Sequence, residues 1–192
     1  MTTIKPEASA NLPTRFGDFH LTVFSEPDGI EHMALVRGDI RDGCLVRVHS
    51  ECATGDIMGS LRCDCRDQLE MSLNKINEAG SGLCIYLRGQ EGRGIGLANK
   101  IKAYALQEKG YDTVDANIQL GFADDQRSYH AALAILKHFG LSEIRLLSNN
   151  QKKLQALQQG HIKIIERVPL WTTENPNNAD YIATKRNRMG HL

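Results

Sequence analysis

The sequence predicts an α/β (α+β) fold: one domain with a mixed sheet, flanking helices and an antiparallel N-terminal portion. Three observations predict it. Short runs rich in Val, Ile and Leu alternate with longer stretches of helical spacing through the middle and end of the chain. The N-terminal part instead carries strand-like segments joined by turn residues. At 192 residues and 41% hydrophobic content, the chain can bury one well-packed core without disulfide staples.

Phe16-Gly-Asp-Phe-His20 and Leu21 to Phe24, then Met33 to Val36 beyond a turn at Pro27-Asp-Gly29, read as antiparallel strands. Leu45 to Val48 reads as a strand. Leu69, Leu73 and Ile76 lie at i, i+4 and i+7, so Gln68 to Glu78 reads as an amphipathic helix ending before Gly80 and Gly82. Leu83 to Leu87 is the next strand. A helix follows from Leu97 to Lys109 on the stripe Leu97, Ile101, Ala105, with Tyr104 beside it and Gly110 as its stop. Ala131 to His138 forms another, apolar at Ala132, Ile135, Leu136 and Phe139 and ended by Gly140. Ile144 to Leu147 and Ile162 to Val168 read as strands around a weaker helix, Lys152 to Gln159. The domain is expected to span residues 1–192. From about residue 171 its tail is polar, irregular around Asn175-Pro-Asn-Asn178, and expected to order only against another surface.

Lys plus Arg equals Asp plus Glu at 23 each, so the chain lacks the basic surplus that drives nonspecific nucleic-acid binding. No apolar run approaches membrane-spanning length, and no stretch has the order of a signal peptide. Five cysteines, an odd count, suit a reducing cytoplasm better than a disulfide framework.

Cys52, Cys63 and Cys65 crowd three thiols into one short segment. Structural zinc sites take four protein ligands, whereas catalytic ones take three and leave a position for water or substrate. No fourth Cys or His follows Cys65 at ligand spacing. Arg62, Asp64 and Arg66 are polar company for the thiols, which favours a metal over three buried free cysteines. Cys44 and Cys84 lie in apolar runs and read as core. His49-Ser-Glu51 matches half of a zinc deaminase signature, but the Pro-Cys-x-x-Cys half is absent.

Arg88-Gly-Gln-Glu-Gly-Arg-Gly-Ile-Gly96 connects a strand to a helix, where backbone amides can receive an anion and Arg88 and Arg93 can add charge-assisted bonds. It lacks P-loop and Rossmann spacing, so a flexible turn is the competing reading. Arg47, Lys152 and Lys153 supply further cations. Asp124-Asp125-Gln126-Arg127 precedes a helix, which makes the carboxylates either N-caps or catalytic groups. Tyr104, judged by periodicity alone, is a core residue.

In order along the chain these segments resemble the GTP cyclohydrolase II family, whose members begin riboflavin synthesis. The likeness runs from about Leu12 to Leu192. It rests on Arg47-Val-His-Ser-Glu-Cys-Ala-Thr-Gly-Asp56, Ser60-Leu-Arg-Cys-Asp-Cys65, Gly92-Arg-Gly-Ile-Gly-Leu97, Lys102-Ala-Tyr-Ala-Leu-Gln107 and Tyr111-Asp-Thr-Val-Asp-Ala-Asn117. Leu120-Gly-Phe122, Asp125-Gln-Arg127, Arg145-Leu-Leu-Ser-Asn-Asn150 and Lys185 through Met189-Gly-His-Leu192 extend it. Ser148 stands where the family usually has Thr, Gln151 replaces a common Pro, and Arg66-Asp67 departs after the third thiol.

The resemblance implies one Zn²⁺ per chain on Cys52, Cys63 and Cys65, supplying acidified water to the guanine C8 of GTP, with formate released. It implies Tyr104 as an aid to that step. Asp125 and Arg127 would act where pyrophosphate leaves, helped by Mg²⁺ on the triphosphate. Arg127 would act there as nucleophile or, more plainly, as a stabilising charge. Arg47, Val48, His49, Ser50, Glu51, Gln68, Glu91, Gly92, Arg93, Thr113, Ser148 and Lys153 would contact GTP, with Glu91 reading the guanine edge. A homodimer is also implied. Two other function classes stay open at this point, a zinc-stabilised nucleotide or nucleic-acid binding module and a base deaminase.

Overall fold

The structure, a computed structural model, describes residues 4–123 and 125–188. Three N-terminal strands form a meander: β1 (Lys5–Thr14), β2 (Gly17–Ser25) and β3 (Glu31–Arg37) pair antiparallel in sequence order. The segments Phe16 to His20 and Leu21 to Phe24 are therefore one strand, not two. β1 was not expected from the sequence, because its residues are exposed almost throughout and show no hydrophobic alternation. Its backbone partner β2 is what makes it a strand.

Beyond the meander the connections become crossovers. β4 (Leu45–Ser50) leads through a π-helical turn, Ala53–Ile57, into α1 (Cys65–Glu78) and then β5 (Gly82–Leu87). A short turn α2 (Glu91–Gly94), α3 (Leu97–Gln107), α4 (Thr113–Gln119) and α5 (His130–His138) follow before β6 (Glu143–Leu147). α6 (Gln151–Gln159), β7 (Lys163–Val168) and α7 (Ala179–Arg188) complete the order. The seven strands make one mixed sheet, β1-β2-β3-β5-β4-β6-β7, in which β5, β4, β6 and β7 are mutually parallel and β3 meets β5 antiparallel.

Strand alternation sorts the core onto two faces. Val46, Val48, Leu83, Ile85 and Leu87 pack on the face covered by Ile135 and Leu136 of α5 and Leu154 and Leu157 of α6. Leu45, Cys84 and Leu147 point the other way, against Leu73 and Ile76 of α1. Cys44 and Cys84 are thus core thiols, and burial pushes the Cys84 thiol up to about 12.

α3 departs from its sequence reading. Leu97 and Ile101 are 47% and 48% exposed, while Lys100 and Ala103 are buried and Tyr104 is half-buried. The apolar stripe faces out because the opposite, more polar face covers a cavity. α4 was also missed, although Asp112 caps it by accepting from the Val114 and Asp115 amides at 2.7 and 2.9 Å.

The polar tail is not irregular throughout. Asn178 folds its entry turn by accepting from the Asn175 amide, and α7 packs against α4. Lys185 of α7 forms an ion pair with Asp64, whose side chain is 6% exposed. The tail orders against the chain's own site. Removing one partner of a buried pair leaves the other charge uncompensated, so Lys185→Met is expected to cost roughly 3–5 kcal/mol of stability. A denaturant midpoint equal to that of the unchanged protein would show that α7 docks without this pair. Met189 to Leu192, part of the family likeness, lie outside the described residues.

Candidate active site

β4 is flanked by β5 on one side and β6 on the other, so the chain reverses its winding there. Open α/β sheets bind ligands beyond the carboxyl ends of strands at such switch points. Here a cavity opens at that place. Among the described residues expected at the site, all but Val48 and Arg88 line it. Val48 is fully buried among the core residues and contributes only its carbonyl, which accepts from Lys153 Nζ.

At one end sit the thiols. Cys52 closes β4's outgoing turn, Cys63 precedes α1 and Cys65 begins it, so the three sulfurs lie within 4.8 Å of one another. Cys52 Sγ and Cys63 Sγ are 3.8 Å apart. Two sulfurs each ~2.3 Å from a tetrahedral zinc ion would stand ~3.8 Å from each other, so the spacing fits. Gly55 makes room for the group: a Cβ there would lie 2.8 Å from Cys63 Sγ and 3.2 Å from Cys52 Sγ. Among the described residues this is the cluster with metal-ligand geometry, and His49 is not part of it.

The thiols do not titrate alike. Hydrogen bonds from Cys63 and Cys65, and then the Lys100 ammonium, hold Cys52 far below the usual thiol range despite burial. Cys63 is pushed up to about 11, first by its bond to Cys52. Cys52 is thus the readiest of the trio to give up its proton, and a bound cation would displace those that remain.

A dense polar layer fixes the thiol loop. Asp56 accepts from His49 Nε2 at 3.0 Å, from the Tyr86 hydroxyl at 2.8 Å and from the Cys52 amide at 3.0 Å. His49 stacks on Tyr86 at 5.3 Å between ring centroids. Burial pushes His49 below the usual imidazole range, more than its bond to Asp56 raises it. Asp64 accepts from Gln68 Nε2 at 2.6 Å, and Gln68 Oε1 in turn accepts from Arg47 at 2.8 Å. Glu51 holds the Gly89 amide at 2.8 Å, and Ser148 Oγ accepts the Asn150 amide at 3.1 Å.

The glycine segment forms α2, with Gly92 and Arg93 both in the left-handed region at φ 59° and 65°. A non-glycine residue held there is uncommon and concentrates at ligand sites. Glu91 is buried, with its carboxylate accepting from Lys100 Nζ and the Ala53 amide, each at 2.5 Å. Arg88 turns away to Glu31 at 3.7 Å and does not line the cavity.

The other end is cationic. Arg47, Arg93, Arg127, Lys152 and Lys153 line it, and Arg47 Nε and Arg93 Nη1 are buried without hydrogen-bond partners among the described residues. Burial, then the charges of Arg47 and Arg127, pushes Lys153 well below the usual lysine range. An incoming anion would relieve both the orphaned donors and the crowded charge. Asp125 does not cap a helix. α5 begins only at His130 with Tyr129 in the cap position, and Asp125 instead takes Arg127 Nε at 2.9 Å and Nη2 at 2.6 Å. Burial alone would raise Asp125, but the bidentate Arg127 contact leaves it below the usual carboxylate range. Asp124 lies outside the described residues.

Sequence reasoning overlooked Lys100, Thr54, Tyr181 and Lys185, all of which face this region. Spacing offered one signal: Lys100 stands four residues before Tyr104 and shares its helical face.

The description of the family GTP cyclohydrolase II matches residues 5–169. The chain belongs to that family. A GTP cyclohydrolase-2 of Shigella boydii serotype 18 is 54% identical over 98% of this chain and 97% of its own length. One of Escherichia coli O45:K1 is 54% identical over the same shares. A solved two-domain 3,4-dihydroxy-2-butanone 4-phosphate synthase of A. baumannii is 20% identical, with a TM-score of 0.41 over 90% of this chain and 41% of that one. That last likeness carries no argument. As a member of the GTP cyclohydrolase II family the chain is an enzyme, a hydrolase of the cyclic-amidine type.

Proposed function

We propose that the cavity binds GTP with its guanine toward the thiols and its triphosphate toward the cationic end. The product would be formate, pyrophosphate and a diamino(phosphoribosylamino)pyrimidinone, the first committed step of riboflavin synthesis. The observation that carries this reading is the 3.8 Å thiol pair and the orphaned arginine donors opening into one cavity. Cys52, Cys63 and Cys65 would hold one zinc ion per chain, which would supply acidified water at that end of the cavity.

The chain's own residues do the rest. Water adds at guanine C8 and the ring opens; a second water then cleaves the formyl amide to free formate, and a third attacks the α-phosphorus as pyrophosphate leaves. Tyr104 faces this end with its ring under Arg62, 4.4 Å from the guanidinium carbon. Glu91 Oε1 accepts from Lys100 and from the Gly92 amide, while Oε2 accepts, among the described residues, only from Ala53 and keeps a lone pair for a guanine N–H donor. His49, Ser50, Glu51, Gln68, Gly92 and Thr113 line the base and ribose region, with Ser148 beside the phosphates. Arg47, Arg93 and Lys153 neutralise the triphosphate and Mg²⁺ accompanies it. The bidentate Asp125 contact holds Arg127 charged above the usual arginine range, against the effect of its burial, which supports charge stabilisation at the α-phosphorus over nucleophilic attack.

Mass spectrometry of GTP incubated with the enzyme, zinc and magnesium tests this. Formate and pyrophosphate with the diaminopyrimidinone are expected. Ammonia without formate would replace the reading by deamination, and bound but unchanged GTP would reduce it to binding. Arg127→Ala is expected to lower pyrophosphate release by roughly 10²-fold or more while zinc stays bound, since one preorganised charge is lost. Separate pyrophosphate and formate assays read this, and undiminished pyrophosphate would remove Arg127 from the step.

No helix among the described residues is long and apolar enough to cross a membrane. With free thiols at the site, a reducing cytoplasm suits the chain. The exposed Leu97, Ile101 and Ile118 on the packed pair α3 and α4 suit a homodimer contact, which light scattering at twice the chain mass would support.

A further inference from the structure

Lys100 is buried, with 8% of its surface exposed, and all three of its ammonium hydrogens have acceptors. Nζ donates to Glu91 Oε1 at 2.5 Å, to Thr54 Oγ1 at 2.7 Å and to Cys52 Sγ at 3.0 Å. The third contact is the informative one. A lysine needed only as Glu91's counter-ion would have no reason to face a sulfur. This one is tied down on two sides so that its remaining N–H meets a thiolate in the metal-binding cluster.

Thiolates are soft, strongly donating ligands, and three of them leave a bound cation a weaker Lewis acid than three imidazoles would. A hydrogen bond to a ligand sulfur withdraws electron density from it and partly restores that acidity. We propose that Lys100 is a positioning residue of the metal site: its ammonium, fixed by Thr54 and Glu91, hydrogen-bonds Cys52 Sγ and keeps the ion held there electron-poor enough for ring opening. Glu91, through the same contact, links the guanine-reading loop to the thiol cluster. The inference rests on the reading that Cys52, Cys63 and Cys65 hold zinc.

Cobalt(II) in place of zinc gives the test a readout besides activity. The sulfur-to-cobalt charge-transfer band of the cobalt-loaded protein reports how strongly the sulfurs donate. Lys100→Met keeps a linear side chain and removes the ammonium. It is expected to retain cobalt, to move the band to longer wavelength, and to lower formate turnover about 10- to 100-fold with the zinc form. A band at the original wavelength with formate turnover unchanged would overturn the proposal. Absence of any such band in the unchanged protein would instead strike at the metal reading itself. Lys100→Gln, which keeps a neutral donor, guards against a folding failure and is expected to shift the band less. If both variants lose the circular dichroism of the folded chain, Lys100 belongs to the scaffold and the proposal falls.

Discussion

Cys63→Ser is expected to abolish formate production and to take bound zinc well below one ion per chain. Serine at that position stays protonated at neutral pH, so the cluster would keep two thiolates where open zinc sites need three ligands. The loss extends beyond one bond, because Cys63 and Cys52 sit 3.8 Å apart and Gly55 packs against both. The same outcome is expected for Cys52→Ser and Cys65→Ser. Cys84→Ser is the control: that thiol is fully buried on the α1 face of the sheet, so zinc stays and only about 1–3 kcal/mol of stability is lost to a buried hydroxyl. Metal analysis of the purified variants decides the matter. A full zinc complement in Cys63→Ser would remove Cys63 from the ligand set.

Tyr104→Phe is expected to lower formate production by roughly 10²- to 10⁴-fold, the range for a lost acid/base group, with thermal stability nearly unchanged. Its ring would remain against Arg62 and Lys100, 4.4 and 5.7 Å away, so the packing survives. What disappears is the hydroxyl at the thiol end of the cavity, close to the Lys100 ammonium and its Thr54 contact. Burial raises the phenol above its usual range, so at neutral pH it is a proton donor rather than a phenolate. A tyrosine serving only to fill space would behave oppositely: Tyr104→Phe would keep full formate turnover, and Tyr104→Ala would cost about 3–5 kcal/mol. Full turnover by a stable Tyr104→Phe enzyme would pass the role to another neighbour of the thiols.

The sheet and its helices were legible wherever burial wrote a period into the sequence. Val46 and Val48 face one way and Leu45 the other, and the run Leu45 to Val48 announced a strand buried on both sides. Where burial is absent, or falls on the polar face, the signal failed. β1 is held by backbone pairing with β2, which leaves no mark on side chains that face solvent. α3 misled in the opposite sense, since its apolar residues face out while Lys100 and Tyr104 face in. The thiols were legible from spacing, as three ligands so close in sequence have few other uses. The polar layer was not. Asp56, Tyr86 and Lys185 reach the site from separate elements, and only the fold brings them together.

Asp64 stands between two of the thiols, and the cation that neutralises it comes from α7, 121 residues later in the chain. A ribosome therefore finishes the sheet, the glycine loop and all three thiols well before it supplies Lys185. Until then the Asp64 carboxylate has neither that counter-charge nor the helix that helps to cover it. Order of translation thus makes the last described helix the clasp of the pocket, and a nascent chain stalled short of it carries all three clustered thiols in an unfinished cradle.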